Sequence, residues 1–151
     1  VKPSRDLSVE QLVDQIVDAE IGAAHALERQ DTKAQNRWAD RRHTAIRELL
    51  SRGEPGRTAM EDLLHHELPL VRLAAATNVF GWAPSRAVPV LSDLLAWAYA
   101  QKDTERPGLR PLLAVVVMSD AEFLLSQHYG IRLRDVVPRV LGIEEDPRPW
   151  T

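Results

Sequence analysis

Apolar residues recur at helical spacing along most of this chain. From about Val9 to Arg29, Leu12, Val13, Ile16, Val17, Ala23, Ala24 and Leu27 fall on the inward face of one helix. Its start is marked twice: Ser8 and Gln11 are spaced as a capping box, and Leu7 and Leu12 as a hydrophobic staple. Asp31-Thr32 caps a second helix, about Lys33 to Arg52, with Trp38, Ala45, Ile46, Leu49 and Leu50 inward. Gly53 ends it, where a left-handed residue is usual. The short turn between the two predicts an antiparallel hairpin. Glu54-Pro55-Gly56 reads as a turn, and a short helix over about Arg57 to His65 turns Ala59, Met60, Leu63 and Leu64 inward.

Pro69 suits the first turn of the next helix, about Pro69 to Trp82, because its missing N–H costs nothing there. Val71, Ala74, Ala75 and Asn78 give that helix a small, mostly apolar face, which lets a neighbouring helix approach closely. Ala83-Pro84-Ser85 breaks the pattern, and Ser85 can cap a fifth helix over about Arg86 to Gln101. Val88, Leu91, Leu94, Leu95 and Ala98 form its stripe, and Pro89 falls in its tolerant first turn. After a charged loop, Pro107-Gly108 opens a sixth helix, about Leu109 to His128. It is apolar nearly all round from Leu112 to Met118, so it is expected to be the most buried. Asp135 to Leu141 predicts a short helix, and Glu144 to Trp150 a charged, proline-rich tail, extended unless Trp150 docks. Val115-Val116-Val117 is the one β-branched run, and it lacks bounding turns.

The expected fold is all-α: three antiparallel helical hairpins stacked in one domain over 1–151, with its core in 7–130. A length of 151 residues suits a single core. Hydrophobic residues make up 44% and charged residues 27%, the balance of a water-soluble globular chain. A formal net charge of −3 argues against nucleic-acid binding by bulk electrostatics. With no cysteine, disulfides and thiolate metal sites are excluded. Residues 1–6 carry no apolar leader, and the longest aliphatic run, Leu112 to Met118, is too short to span a bilayer. The expected location is the cytoplasm.

Three stretches carry a resemblance. They are Leu7-Ser8-Val9-Glu10-Gln11-Leu12-Val13, then Leu49-Leu50-Ser51-Arg52-Gly53, and then Pro69-Leu70-Val71-Arg72 with Ala74-Ala75. Together they are similar to a group of small, uncharacterised bacterial HEAT-like helical-repeat domains. The likeness runs from Leu7 to Leu95, while Ala96 to Thr151 departs from the group's pattern. It implies a HEAT-like α-α superhelix. Some members resemble immunity proteins encoded beside secreted bacterial toxins, which implies a protein partner, a cognate toxin effector. Neither a membrane nor a cofactor is expected. The likeness also implies that Arg72 pairs with acids of an adjacent turn or repeat.

Candidate chemistry is sparse. Glu10, Asp14 and Asp18 recur every four residues and repel one another. They form either an acidic face for a basic partner or a solvated outer face. Asp120 and Glu122, in Ser119-Asp120-Ala121-Glu122, form a second acidic patch that is an alternative contact for such a partner. Asn78, where a small apolar residue is expected, is either a partnered buried amide or part of a recognition surface. Trp150 is a candidate docking anchor. Lys33, Arg37, Arg41 and Arg42 make the second helix locally basic, but Asp40 and Glu48 interrupt them, which favours a mixed face with salt bridges to the first helix. His65-His66-Glu67 cannot chelate one ion, since adjacent helical residues point apart. No His-Glu-x-x-His, Gly-x-Ser-x-Gly or phosphate-cradling loop occurs, so neither a metal nor catalysis is expected. The function expected is protein binding. An adaptor role through the tail and a phosphate-binding role through the arginines are the alternatives.

Overall fold

The structure, a computed structural model, describes residues 2–101 and 110–143. Among them the chain forms α1 (Val9–Glu28), α2 (Thr32–Ser51), α3 (Glu54–Asp62), α4 (Pro69–Val79), α5 (Pro84–Ala100), α6 (Leu112–Tyr129) and α7 (Leu133–Leu141). Short 3-10 turns at Ser4–Asp6 and Leu63–His65 complete it, and no strand occurs among the described residues. No helix among them is long and apolar enough to cross a membrane.

The capping box forms as spaced: Gln11 N–H donates to Ser8 Oγ at 3.1 Å, and Ser8 N–H to Gln11 Oε1 at 2.9 Å. At the other end Gln30 takes φ 54°, and Asp31 N–H reaches back to Ala26 O at 2.9 Å. Asp31 then caps α2, accepting from Ala34 N–H at 3.0 Å. One residue thus closes α1 and opens α2, and the two helices pair along their lengths. Gly22 makes room for this pairing, since a Cβ there would enter the Trp38 ring.

The third helix begins earlier than the sequence predicts. Glu54, Pro55 and Gly56 are its first turn, with Gly53 at φ 70° as the residue before it. Gly56 lies so close to α2 that a Cβ would overlap the Leu49 carbonyl. A proline and a glycine therefore serve here as a helix start and a close crossing. Likewise Ser85 does not cap α5: Ala83 holds that position and Pro84 is the first helical residue. The described start of α6 is Leu112, behind Pro111.

The core is continuous. Leu12 and Ile16 of α1, Leu49 of α2, Met60 of α3 and Val71 and Val79 of α4 are fully buried. So are Leu91, Leu94 and Leu95 of α5, Val117 and Leu125 of α6 and Val136 of α7. Helix α4 packs against both α3 and α5, and α5 against α6. Helix α1 touches α3, α4 and α6, so the first helix meets the later ones across the core. α6 is not sealed on every side, contrary to the expectation from its apolar run. Val115 is 48% and Phe123 54% exposed, because the α6 face opposite Val117 and Leu125 has no described neighbour.

Candidate functional site

Two recesses collect Glu10, Asp14, Asn78 and Asp120 of the residues that the sequence singles out. The first lies between α1 and α3 and has a volume near 770 Å³. Val9, Val13, Ala59 and Leu63 give it an apolar floor. Glu10 and Asp14 of α1 and Glu54 and Asp62 of α3 line it with four carboxylates, and no lysine or arginine among the described residues does so. All four are exposed, and none joins an ion pair among the described residues.

Asp18 does not join them. It lines a separate recess with Lys2, Gln15, Trp38, Asp40 and Arg41. A step of four residues overshoots one helical turn by about 40°, so a stripe of three drifts around the helix. The sequence missed Glu54 and Asp62. Glu54 falls in the first turn of α3, which the sequence reads as a turn ahead of the helix, and Asp62 lies on the predicted helix but has no spacing that ties it to α1.

The second recess is a cleft of about 490 Å³ walled by α2, α4 and α6, with Glu20 of α1 in its lining. Glu20 is 2% exposed and pairs with Arg42, whose Nη1 donates to Glu20 Oε1 at 3.0 Å. Burial raises the Glu20 carboxyl above its usual range, and the Arg42 charge offsets this in part. Arg42 Nη2 lies 3.4 Å from His43 Nε2. Asp120 borders the same cleft. Although the residue is exposed overall, the cleft walls desolvate its carboxyl and raise its pKa, again against the pull of Arg42.

Asn78 also lines this cleft. Its amide donates to Ala74 O at 2.8 Å, and Thr77 Oγ1 donates to Leu73 O at 2.7 Å. So Asn78 is half-buried and partnered, and it faces the cleft as well. Ile46, Leu50, Leu70, Leu73 and Val116 supply the apolar lining. The structure thus joins Asn78 and Asp120, which are 42 residues apart in the chain. Glu20 went unnoticed because an isolated glutamate on an apolar face gives no pattern signal.

Several expectations are corrected. Glu122 is not part of an exposed acidic patch: it is 4% exposed and is not a free carboxylate. Ser119 and Asp120 face outward while Ala121 and Glu122 face inward, as the helical rotation between them dictates. Arg72 forms no ion pair among the described residues, and its Nε is buried without a hydrogen-bond partner. Of the basic run on α2, Arg42 turns in to Glu20 and Arg41 stacks over Trp38 at 4.9 Å. His66 Nδ1 accepts from Leu68 N–H at 3.1 Å ahead of α4. Trp150 lies outside the described residues.

Compared with known proteins, this chain matches no family model, no curated protein and no solved structure.

Proposed function

We propose that this chain is a non-enzymatic protein-binding module, most concretely an immunity protein that neutralises a secreted bacterial toxin. The supporting observation is the α1–α3 groove, an apolar floor edged by Glu10, Asp14, Glu54 and Asp62 with no cation among the described residues that line it. A basic segment carrying one or two apolar side chains matches that groove in both charge and polarity. A toxin that acts on phosphate-bearing substrates presents such a segment at its active surface. The reading takes the helices as a HEAT-like stack of three hairpins acting in the cytoplasm. Support for the hairpins comes from the pairing of α1 with α2, α3 with α4, and α5 with α6.

The test is affinity capture from the native host, followed by mass spectrometry and run twice. One bait is the wild-type chain. The other carries Glu10→Gln, Asp14→Asn, Glu54→Gln and Asp62→Asn, all exposed positions whose replacement leaves the fold intact. The expected outcome is one stoichiometric secreted toxin on the first bait, and its loss on the second. Equal recovery on both baits would move the interface away from the groove. Housekeeping assemblies alone would favour an adaptor, and nucleic acid removed by salt would favour phosphate binding.

A further inference from the structure

The α2–α4–α6 cleft is separate from the acidic groove and has a different charge pattern. Its Glu20–Arg42 pair is hard to account for by stability. A buried ion pair seldom outperforms well-packed apolar residues of similar size, because both ions lose their hydration. The pair does, however, fix Arg42 at the cleft wall. A guanidinium carries five N–H donors. Glu20 takes one from Nη1 and His43 lies near Nη2, so donors remain for a ligand.

Within the cleft Glu20 and Arg42 neutralise each other. That leaves one cation, Arg47 on α2, and one anion, Asp120 on α6, neither in an ion pair among the described residues. His43 is the remaining titratable group in the lining. The lining is otherwise largely apolar, from Ile46, Leu50, Leu70 and Leu73. A volume of about 490 Å³ falls in the range of small-molecule sites.

The geometry points to a binding site for a small zwitterion with an apolar side chain, an apolar amino acid or dipeptide. Its carboxylate lies against Arg47 and the free donors of Arg42, its ammonium against Asp120, and its side chain against Ile46, Leu50 and Leu73. A ligand with only one charge pairs with Arg47 or with Asp120 and forgoes the other charged contact.

Titration of the full chain with L-leucine and L-leucyl-L-leucine, followed by backbone amide NMR shifts, tests this. Isocaproate and isoamylamine, which lack the ammonium and the carboxylate respectively, are the controls. Saturable shifts confined to α2, α4 and α6 are expected with the zwitterions, and affinities weaker by about tenfold or more with either control. Asp120→Asn and Arg47→Gln, both at exposed positions, should each weaken zwitterion binding by about tenfold while leaving the unliganded spectrum folded. The proposal is overturned if no saturable shift appears at millimolar ligand. It is equally overturned by controls that bind as well as the zwitterions, or by variants that bind like wild type.

Discussion

At the scale of single residues, two glycines at one junction do different work. Gly53 needs its positive φ of 70°, and a Cβ there would meet nothing within 4 Å. Gly56 has ordinary helical geometry, but a Cβ would overlap the Leu49 carbonyl of α2. Gly53→Ala should therefore cost about 1–3 kcal/mol, the strain of an alanine at φ 70° and ψ −135°, a conformation that suits glycine. Gly56→Ala should cost at least the 1–3 kcal/mol or so of an overpacked core, because the obstacle is backbone and cannot rotate away. Urea unfolding of both variants gives the ranking, with Gly56→Ala the less stable. The reverse order would mean that α3 can slide off the end of α2.

At the scale of elements, the helix-forming segments were legible because the core faces of α1, α2, α4 and α5 are written in apolar spacing. Capping was legible where it is done by side chains, as at Ser8 and Asp31. It was not legible where backbone conformation does it. Gln30 closes α1 at φ 54° with no sequence cue, and α3 starts on Glu54-Pro55-Gly56, residues that favour turns equally well. The misread start of α3 hid Glu54, one of the four carboxylates of the acidic groove. The small face of α4 was legible in part: Val71 and Ala75 are buried as read, but Ala74 and Asn78 are half-buried at the cleft, and Leu73, Ala76 and Val79 complete the buried side. Ala75 and Ala76 are fully buried where α4 meets its neighbours, whereas Thr77 is exposed. Ala75→Leu should destabilise by about 1–3 kcal/mol, as extra volume in a filled core does. Thr77→Leu should stay within about 0.5 kcal/mol. If thermal melts showed both unchanged, the helices around α4 would have to be spaced more loosely than they are here.

At the scale of the whole molecule, the cleft cluster joins parts of the chain that helical periodicity cannot relate. Glu20 is on α1, Arg42 on α2 and Asp120 on α6. Desolvation raises the carboxyls of both Glu20 and Asp120, and in each case it outweighs the attraction of Arg42. A carboxyl whose folded pKa lies above its unfolded value favours folding while protonated. That contribution is fully present below the ordinary values of 4.5 for Glu20 and 3.8 for Asp120. It is lost as the pH rises through the raised folded values. Glu20→Gln keeps the neutral state at every pH and so removes the Glu20 share of this slope. The stability of Glu20→Gln relative to wild type should thus increase from acid to neutral pH. Arg42 is not stranded in that variant, since its side chain is 28% exposed and Asp120 remains beside it. Arg42→Met makes the opposite error, leaving Glu20 buried and unpaired. At neutral pH it should cost about 3–5 kcal/mol, with the deficit shrinking as acid protonates Glu20. Urea unfolding of the three proteins from acid to neutral pH tests both signs. If the Arg42→Met deficit did not depend on pH, Glu20 would have to be neutral in the folded protein throughout. The cluster would then join the helices by hydrogen bonding alone.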